Sequence, residues 1–265
     1  MRLIAPPRLE AATALWNESA RRARQSLRHA VDLVLPPLAL DAAERPSTVG
    51  LSAANWSRIR FIDGPVCDGC GAPFPHDLGV GARCAACMAR PPAFHRARAA
   101  CLYDEHSSDL VLKLKHADRT DLAPLFARWL SRAAAELLTE AELICPAPLH
   151  PRRLLARRYN QAAEIARPLA RLTGVAYAPD ALVRRRATPT QGGRSGRGRR
   201  ANVMGAFETP PRARALIAGR RVLLVDDVLT TGATAEACAQ TLLAAGASAV
   251  DLAVVARVAT ARLEP

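Results

Sequence analysis

The sequence predicts an α/β protein, a mostly parallel sheet flanked by helices, preceded by a small cysteine-bearing region. Three observations carry this expectation. From about residue 98 onward, apolar strand-like runs alternate with amphipathic helical runs, the pattern of consecutive βαβ units. Residues 222–234, VLLVDDVLTTGAT, run from four apolar residues into two adjacent carboxylates, a short hydroxyl-rich loop and a helical stretch. Upstream, residues 67–87 hold two CxxC pairs.

Taken in order, residues 8–34 place Leu15, Trp16, Ala20, Leu27, Val31 and Val34 at helical spacing and stop at Pro36-Pro37. Residues 1–35 are therefore read as an N-terminal amphipathic helix. Residues 36–92 are rich in Gly, Pro and Cys and are read as a double ribbon-like region. The α/β domain is expected over 93–265, with Pro91-Pro92 at the division. Within it, 98–103 is a strand leading into DEHSSDLVLKLKHADRTD. The segment 121–138 is an amphipathic helix with Leu122, Leu125, Phe126, Trp129, Leu130 and Leu137 on one face. AELICPAPL (141–149) is a strand ending in a Pro-punctuated turn, and 160–174 a helix stopped by Gly174. Residues 184–200 form an Arg- and Gly-rich loop. A strand over 220–227, a loop over 228–234 overlapping a helix over 232–245, and a strand over 249–256 complete the pattern.

Half of the 265 residues are hydrophobic, but aromatics make up only 4%, so the core must be built mainly from Ala, Val and Leu. The net charge of +13 is carried by Arg, since Lys113 and Lys115 are the sole lysines. Guanidinium binds phosphate bidentately, so the excess points to phosphate-bearing partners, although a compositional bias toward Arg and Ala accounts for part of it. No apolar run reaches the ~18 residues of a membrane span, and the N-terminus lacks the apolar core of a secretory signal. The expected compartment is the cytoplasm.

In a reducing compartment, paired CxxC turns favour metal over disulfides. CDGCG (67–71) and CAAC (84–87) lie thirteen residues apart. Cys67, Cys70, Cys84 and Cys87 are the expected ligands of a structural Zn²⁺. His76, between the pairs, is read as a surface residue, and Cys101, Cys145 and Cys238 as small core residues. A short internal repeat precedes the ribbon. PLALDA (37–42) parallels PVCDGC (65–70), and SAANW (52–56) parallels CAACM (84–88). In that upstream copy the ligand positions become Ala39, Ala42, Ser52 and Asn55, so it is read as a ribbon without metal, held by packing through Trp56 and Phe61.

VLLVDD is a buried parallel strand ending in acid, and ligands of open α/β sheets bind at that end of the strands. The backbone N–H groups of Val228, Leu229, Thr230, Thr231, Gly232, Ala233 and Thr234, with a helix dipole behind them, make an anion cradle. Gly232 permits close approach, and the threonines add hydroxyl donors. A ligand that fits both halves carries a phosphate at one end and vicinal hydroxyls nearby, as ribose 5-phosphate does. Two further stretches are basic. PAPLHPRRLLARRYNQ (146–161) carries Arg152, Arg153, Arg157 and Arg158, and residues 181–207 contain seven Arg and no acid. Such a loop suits a mobile lid over phosphates, or a basic surface for nucleic acid.

VLLVDDVLTTGAT resembles the phosphoribosyl pyrophosphate (PRPP) loop of type I phosphoribosyltransferases. The four-cysteine ribbon, LKLKHADR, PAPLHPRRLLARRYNQ, Gln191 with RRANVMGAF, and this loop together resemble the ComF family, over most of 36–257. The resemblance implies a phosphoribosyltransferase fold. It implies ribose hydroxyls at Asp226 and Asp227 with Mg²⁺, and the 5-phosphate on the loop through Thr234. Pyrophosphate would meet Arg152, Arg153, Arg157, Gln191, Arg199 and Arg200. It also implies natural competence as the setting, with single-stranded DNA and competence proteins as partners; a homodimer is a further candidate. The chain departs from the family in having RRYNQ where RGFNQ is common, so Arg158 replaces a glycine, and in its metal-free first ribbon. Three functions stay open: phosphoribosyl transfer to a nitrogenous acceptor, binding of PRPP without transfer, and an accessory role in DNA uptake.

Overall fold

The structure, a computed structural model, describes residues 51–116, 119–186, 203 and 205–259. Helix α1 (Ala53–Arg58) opens the described chain. Its first residue follows Ser52, whose Oγ accepts from the Asn55 N–H at 3.3 Å. Helix α2 (Ala85–Ala89) follows Cys84, which makes no side-chain cap. SAANW and CAACM each lead into a short helix. Ala39 and Ala42, the other half of the upstream copy, lie outside the described residues. Trp56 is exposed, whereas Phe61 packs edge-on against Trp129 at 5.0 Å between ring centres.

The main sheet has the order β1-β7-β6-β2-β3, with every pair parallel. Its strands are β1 (Ala97–Leu102), β2 (Leu143–Pro146), β3 (Ala176–Tyr177), β6 (Arg221–Leu229) and β7 (Ala249–Arg257). A separate two-stranded antiparallel pair, β4 (Val183–Arg184) and β5 (Phe207–Glu208), stands outside the sheet. Val222 to Val225 are wholly buried, as expected of an apolar run covered on both faces. Val222 and Leu224 pack into one core cluster with Cys145, Cys238 and Leu242.

The intervening helices are α3 (Glu105–His116), α4 (Ala123–Ala133), α5 (Ala135–Glu140), α6 (Pro151–Arg157), α7 (Gln161–Thr173), α8 (Pro211–Ile217) and α9 (Ala233–Ala244). The expected single helix over 121–138 is two helices, broken at Ala134, where φ is −110° and ψ 24°. Hydrogen bonds run through the break, from Ala134 N–H to Leu130 and from Leu138 N–H to Ala134. Leu137 and Leu138, beyond the break, are both buried. Helix α7 starts on Asn160, whose side chain accepts from Ala162 N–H at 3.2 Å, and stops at the left-handed Gly174, as the sequence predicts.

The ribbon sits on β1. Ile62 N–H donates to Ala100 O at 3.0 Å, Leu102 N–H to Arg60 O at 2.9 Å, and Ala97 N–H to Asp68 O at 3.3 Å. Arg98 Nη2 reaches Asp68 Oδ1 at 2.9 Å. Gly71 is the closest point: its φ is +68°, and a Cβ there would lie 2.7 Å from the Ala97 carbonyl oxygen. Both the left-handed backbone and the contact require glycine. Gly71→Ala is therefore expected to destabilise the protein by at least about 2 kcal/mol in a denaturant titration, whereas Gly79→Ala, with φ +88° but open space around it, should cost about 1 kcal/mol.

Candidate functional site

Strand β6 carries Asp226 and Asp227 to the carboxyl edge of the sheet, between β2 and β7. Successive residues of a strand face opposite sides, so the two carboxylates leave the same edge in different directions. Asp227 lies on the α3 side, where its Oδ2 meets Lys115 Nζ at 2.8 Å. Asp226 lies with Cys238 of α9 and Arg184 of β4, whose ionisations it perturbs. The Asp227 N–H donates to Asp226 Oδ1 at 2.9 Å. Burial and then the neighbouring Asp227 push the Asp226 carboxyl up to about 7, against partial relief from Lys115 and Arg184.

The strand runs two residues further than the sequence predicts. Val228 and Leu229 pair with Ala256 and Arg257 of β7, so their amides belong to the sheet. The loop proper is Thr230–Gly232, and α9 begins at Ala233. Gly232 occupies the N-cap with φ 77°, and no side chain caps the helix there. Thr231 and Thr234 are half-buried and Thr230 is exposed. The uncapped first turn keeps its N–H groups available to an anion, and a Cβ on Gly232 would touch only Leu229, at 3.7 Å.

Cations approach from the other elements. Helix α6 starts with Pro151 at its first turn and His150 as N-cap, the His150 Nδ1 accepting from Arg152 N–H at 3.2 Å. Arg152 is exposed, while Arg153 and Arg157 are half-buried. Burial and the Arg157 guanidinium depress the ionisation of Arg153. Arg157 Nη1 donates to Gln161 Oε1 at 3.3 Å. Arg184, only 8% exposed, stacks over Phe207 at 5.3 Å and is depressed by burial and by Arg153. Arg158, in place of the family's glycine, keeps a left-handed backbone with φ 65°. The turn that a glycine would make is thus retained, at a conformational cost of about 1 kcal/mol. Gln191, Arg199 and Arg200 lie outside the described residues.

Lys115 and Arg184 were not among the residues singled out from the sequence. Lys115 had a signal: Asp104 accepts from His106 N–H at 3.1 Å and Ser107 N–H at 3.0 Å, and Ser107 Oγ accepts from Asp104 N–H at 2.9 Å. This reciprocal cap, D-x-x-S before LVLKLK, marks a helix start, and it sets Leu110, Val111 and Leu114 inward beside Lys115. Arg184 had none, since its burial depends on the pairing of β4 with β5.

The ribbon cysteines converge as expected. The sulfurs of Cys67, Cys70, Cys84 and Cys87 all lie within 4.8 Å of one another, with Cys70 and Cys84 3.7 Å apart. A tetrahedral zinc–thiolate site requires sulfur separations of about 3.8 Å, so the set is compatible with a structural metal such as zinc. Cys84 N–H donates to Cys67 Sγ at 3.2 Å, a bond suited to a thiolate. Gly69 lies against Cys87 Sγ, where a Cβ would stand 3.3 Å away. His76 is exposed and outside the cluster. Cys101, Cys145 and Cys238 are buried, burial pushing the first two up to about 12, which fits core residues and not nucleophiles. Among the described residues no helix is long and apolar enough to cross a membrane.

The phosphoribosyl transferase domain family model matches residues 160–265. DNA utilization protein YhgH of Escherichia coli K12 is 34% identical over 213 residues, 76% of this chain and 91% of that one. Competence protein F of Haemophilus influenzae is 30% identical over 190 residues, 70% of this chain and 80% of that one. Among solved structures, the glutamine PRPP amidotransferase of B. subtilis has a TM-score of 0.38 at 21% identity, covering 54% of this chain and 30% of that one.

Two measurements follow. Because the folded Asp226 value lies above the unfolded one, its contribution to stability is full below about pH 4 and is lost as pH rises through about 7. Asp226→Asn should therefore melt above wild type at pH 8 without ligand, the gap closing toward pH 4. Elemental analysis of the purified chain should give about one zinc, and Cys84→Ser should lower that content and the melting temperature together. The alternating parallel architecture, the acid-tipped strand feeding a glycine-capped helix, the four-cysteine cluster and the extent of the similarity to YhgH and Competence protein F place the chain in the ComF family of phosphoribosyltransferase-fold proteins.

Proposed function

We propose that the chain binds PRPP, or a related ligand containing ribose 5-phosphate, at the carboxyl edge of β6, with Mg²⁺ accompanying a diphosphate. The 5-phosphate would take the N–H groups of Thr231 to Thr234 and the threonine hydroxyls. Asp226 and Asp227 would accept from the ribose hydroxyls, and Arg153, Arg157 and Arg184 would face the diphosphate. The observation that carries the reading is the adjacency of an uncapped, glycine-led helix start to two carboxylates at a sheet's carboxyl edge. Mg²⁺, when bound, would neutralise charge on the diphosphate and strengthen its departure as a leaving group.

The residues themselves account for the rest. Lys115 holds Asp227 in place before ligand arrives and gives up part of that contact when hydroxyls compete for the carboxylate. Arg157 depresses the ionisation of Arg153, and Arg153 that of Arg184, a repulsion that a polyanionic ligand relieves. Transfer to a nitrogenous acceptor would need these cations to stabilise the departing pyrophosphate while water is excluded. The acceptor has no recognisable motif here. A second reading, an accessory role in uptake of single-stranded DNA in the cytoplasm with competence proteins as partners, is favoured by the names of the relatives, DNA utilization protein and Competence protein F.

Calorimetric titration with PRPP and Mg²⁺ tests the first reading. Saturable binding is expected, weakened roughly tenfold to a hundredfold in Asp226→Asn/Asp227→Asn, with affinity rising as pH passes about 7 and Asp226 ionises. No binding by wild type would overturn it. Release of pyrophosphate across a panel of nucleobases would establish transfer, and its absence would leave binding alone. Salt-sensitive binding of single-stranded oligonucleotide, insensitive to the Asp substitutions, would support the second reading.

A further inference from the structure

The turn between α6 and α7 follows Arg153 and Arg157, and hydrogen bonds hold it from more than one side. Arg157 Nη1 donates to Gln161 Oε1 at 3.3 Å, which closes the turn on itself. Asn160 Nδ2 donates to the Ala147 carbonyl at 2.9 Å, which fixes the start of α7 to the outlet of β2. A further bond is long-range. Tyr159 Oη donates to the carbonyl oxygen of Leu114 at 2.6 Å, 45 residues back along the chain. Arg158, directly before Tyr159, has its left-handed backbone, φ 65°, which a side chain disfavours. A strap one residue further on opposes its relaxation.

Leu114 stands in the last turn of α3, whose final carbonyls have no partner within the helix. The residue is wholly buried, so the Tyr159 hydroxyl supplies a donor where water has no access. The next residue is Lys115, whose Nζ meets Asp227 Oδ2 at 2.8 Å. The hydroxyl therefore joins the basic turn to the helix end that holds one carboxylate. The other carboxylate meets the same cations through charge. Arg157 depresses Arg153, Arg153 depresses Arg184, and Asp226 offsets part of the depression of Arg184. The turn and α6 thus adjoin the surroundings of both acids, one through a bond and one through a chain of guanidiniums.

We infer that Tyr159 is a positioning residue whose hydroxyl, by strapping the basic turn to the Lys115 end of α3, sets the span between the cations that take a diphosphate and the carboxylates that take ribose hydroxyls. The effect on affinity rests on the binding function proposed above; the strap does not. A ligand that carries both groups engages both places at once, and it gains the full benefit only where their spacing is fixed beforehand. A ligand that carries one group makes no demand on the spacing. Loss of the strap therefore falls on the spanning ligand, whereas plain loss of support for the fold falls on every ligand alike.

The experiment uses the full chain, wild type and Tyr159→Phe, which removes the hydroxyl and keeps the ring. PRPP with Mg²⁺, pyrophosphate with Mg²⁺ and ribose 5-phosphate are titrated in parallel, and hydrogen exchange is read at the 112–116 amides that end α3. In Tyr159→Phe, PRPP is expected to weaken roughly threefold to tenfold, the scale of one hydrogen bond, while pyrophosphate and ribose 5-phosphate change by less than about twofold. Exchange at 112–116 should quicken, and residues 165–173 of α7 should keep their protection. The positioning role is overturned if PRPP affinity is unchanged, or if either smaller ligand weakens as much as PRPP does. The strap is overturned if exchange at 112–116 is unchanged, or if α7 loosens equally. Wild type gives a second reading: saturating PRPP should slow exchange at 112–116 more than either smaller ligand does, and equal slowing by all three overturns the positioning role. If Tyr159→Phe does not fold, that reading decides. Failure of wild type to bind PRPP would sink the binding function and leave exchange in Tyr159→Phe to judge the strap.

Discussion

The pairing of β6 between β2 and β7 is the constraint on which the site depends. It buries four consecutive apolar residues on both faces and then delivers two acids to the same edge. Because a strand alternates, the acids leave that edge in different directions. Asp227 is drawn to a lysine on one side, and Asp226 is left among buried groups on the other. What reads in one dimension as a like-charged pair is, in three, two carboxylates with different environments. A ligand with two hydroxyls and a phosphate meets an edge that is electrically uneven, and that unevenness is set by the sheet and not by the loop.

The cations around this edge show why the chain separates its few lysines from its many arginines. Lys115 makes a single point contact with Asp227, as suits a compact ammonium. Arg184 lies flat against Phe207, where its planar group can be buried without losing all its donors. Arg157 stands close enough to Arg153 to disfavour its charge. Their repulsion is held in check by helix α6, whose left-handed end at Arg158 returns the chain toward Asn160 and α7.

Much of this was legible in the sequence because it is local. The four-cysteine spacing, the apolar run before Asp226, the glycine that opens α9 and the glycine that closes α7 each depend on neighbours within a few residues. What escaped depends on partners far along the chain. β6 extends through Leu229 because β7 offers Ala256 and Arg257 as partners. The helix over 121–138 breaks at Ala134, with no Pro or Gly there to announce it, and Leu137 and Leu138 beyond the break are both buried. Arg184 becomes part of the site only when β5 brings Phe207 beneath it. The cap at Asp104 and Ser107 was local and readable, and with it the helix that aims Lys115.

The seating of residues 60–62 along β1 has a consequence for solubility. β1 is a border strand of the main sheet, and the opposite border, β3, is only two residues long. Antiparallel hydrogen bonds from Ile62 and Leu102 occupy part of β1's outer rim, and the ribbon lies over its start. A fragment cut at residue 93 would present that six-residue rim bare, with Ala99, Ala100 and Cys101 beside it. Unpaired strand rims recruit one another. The ribbon is thus also a cover that keeps copies of this sheet from zipping together.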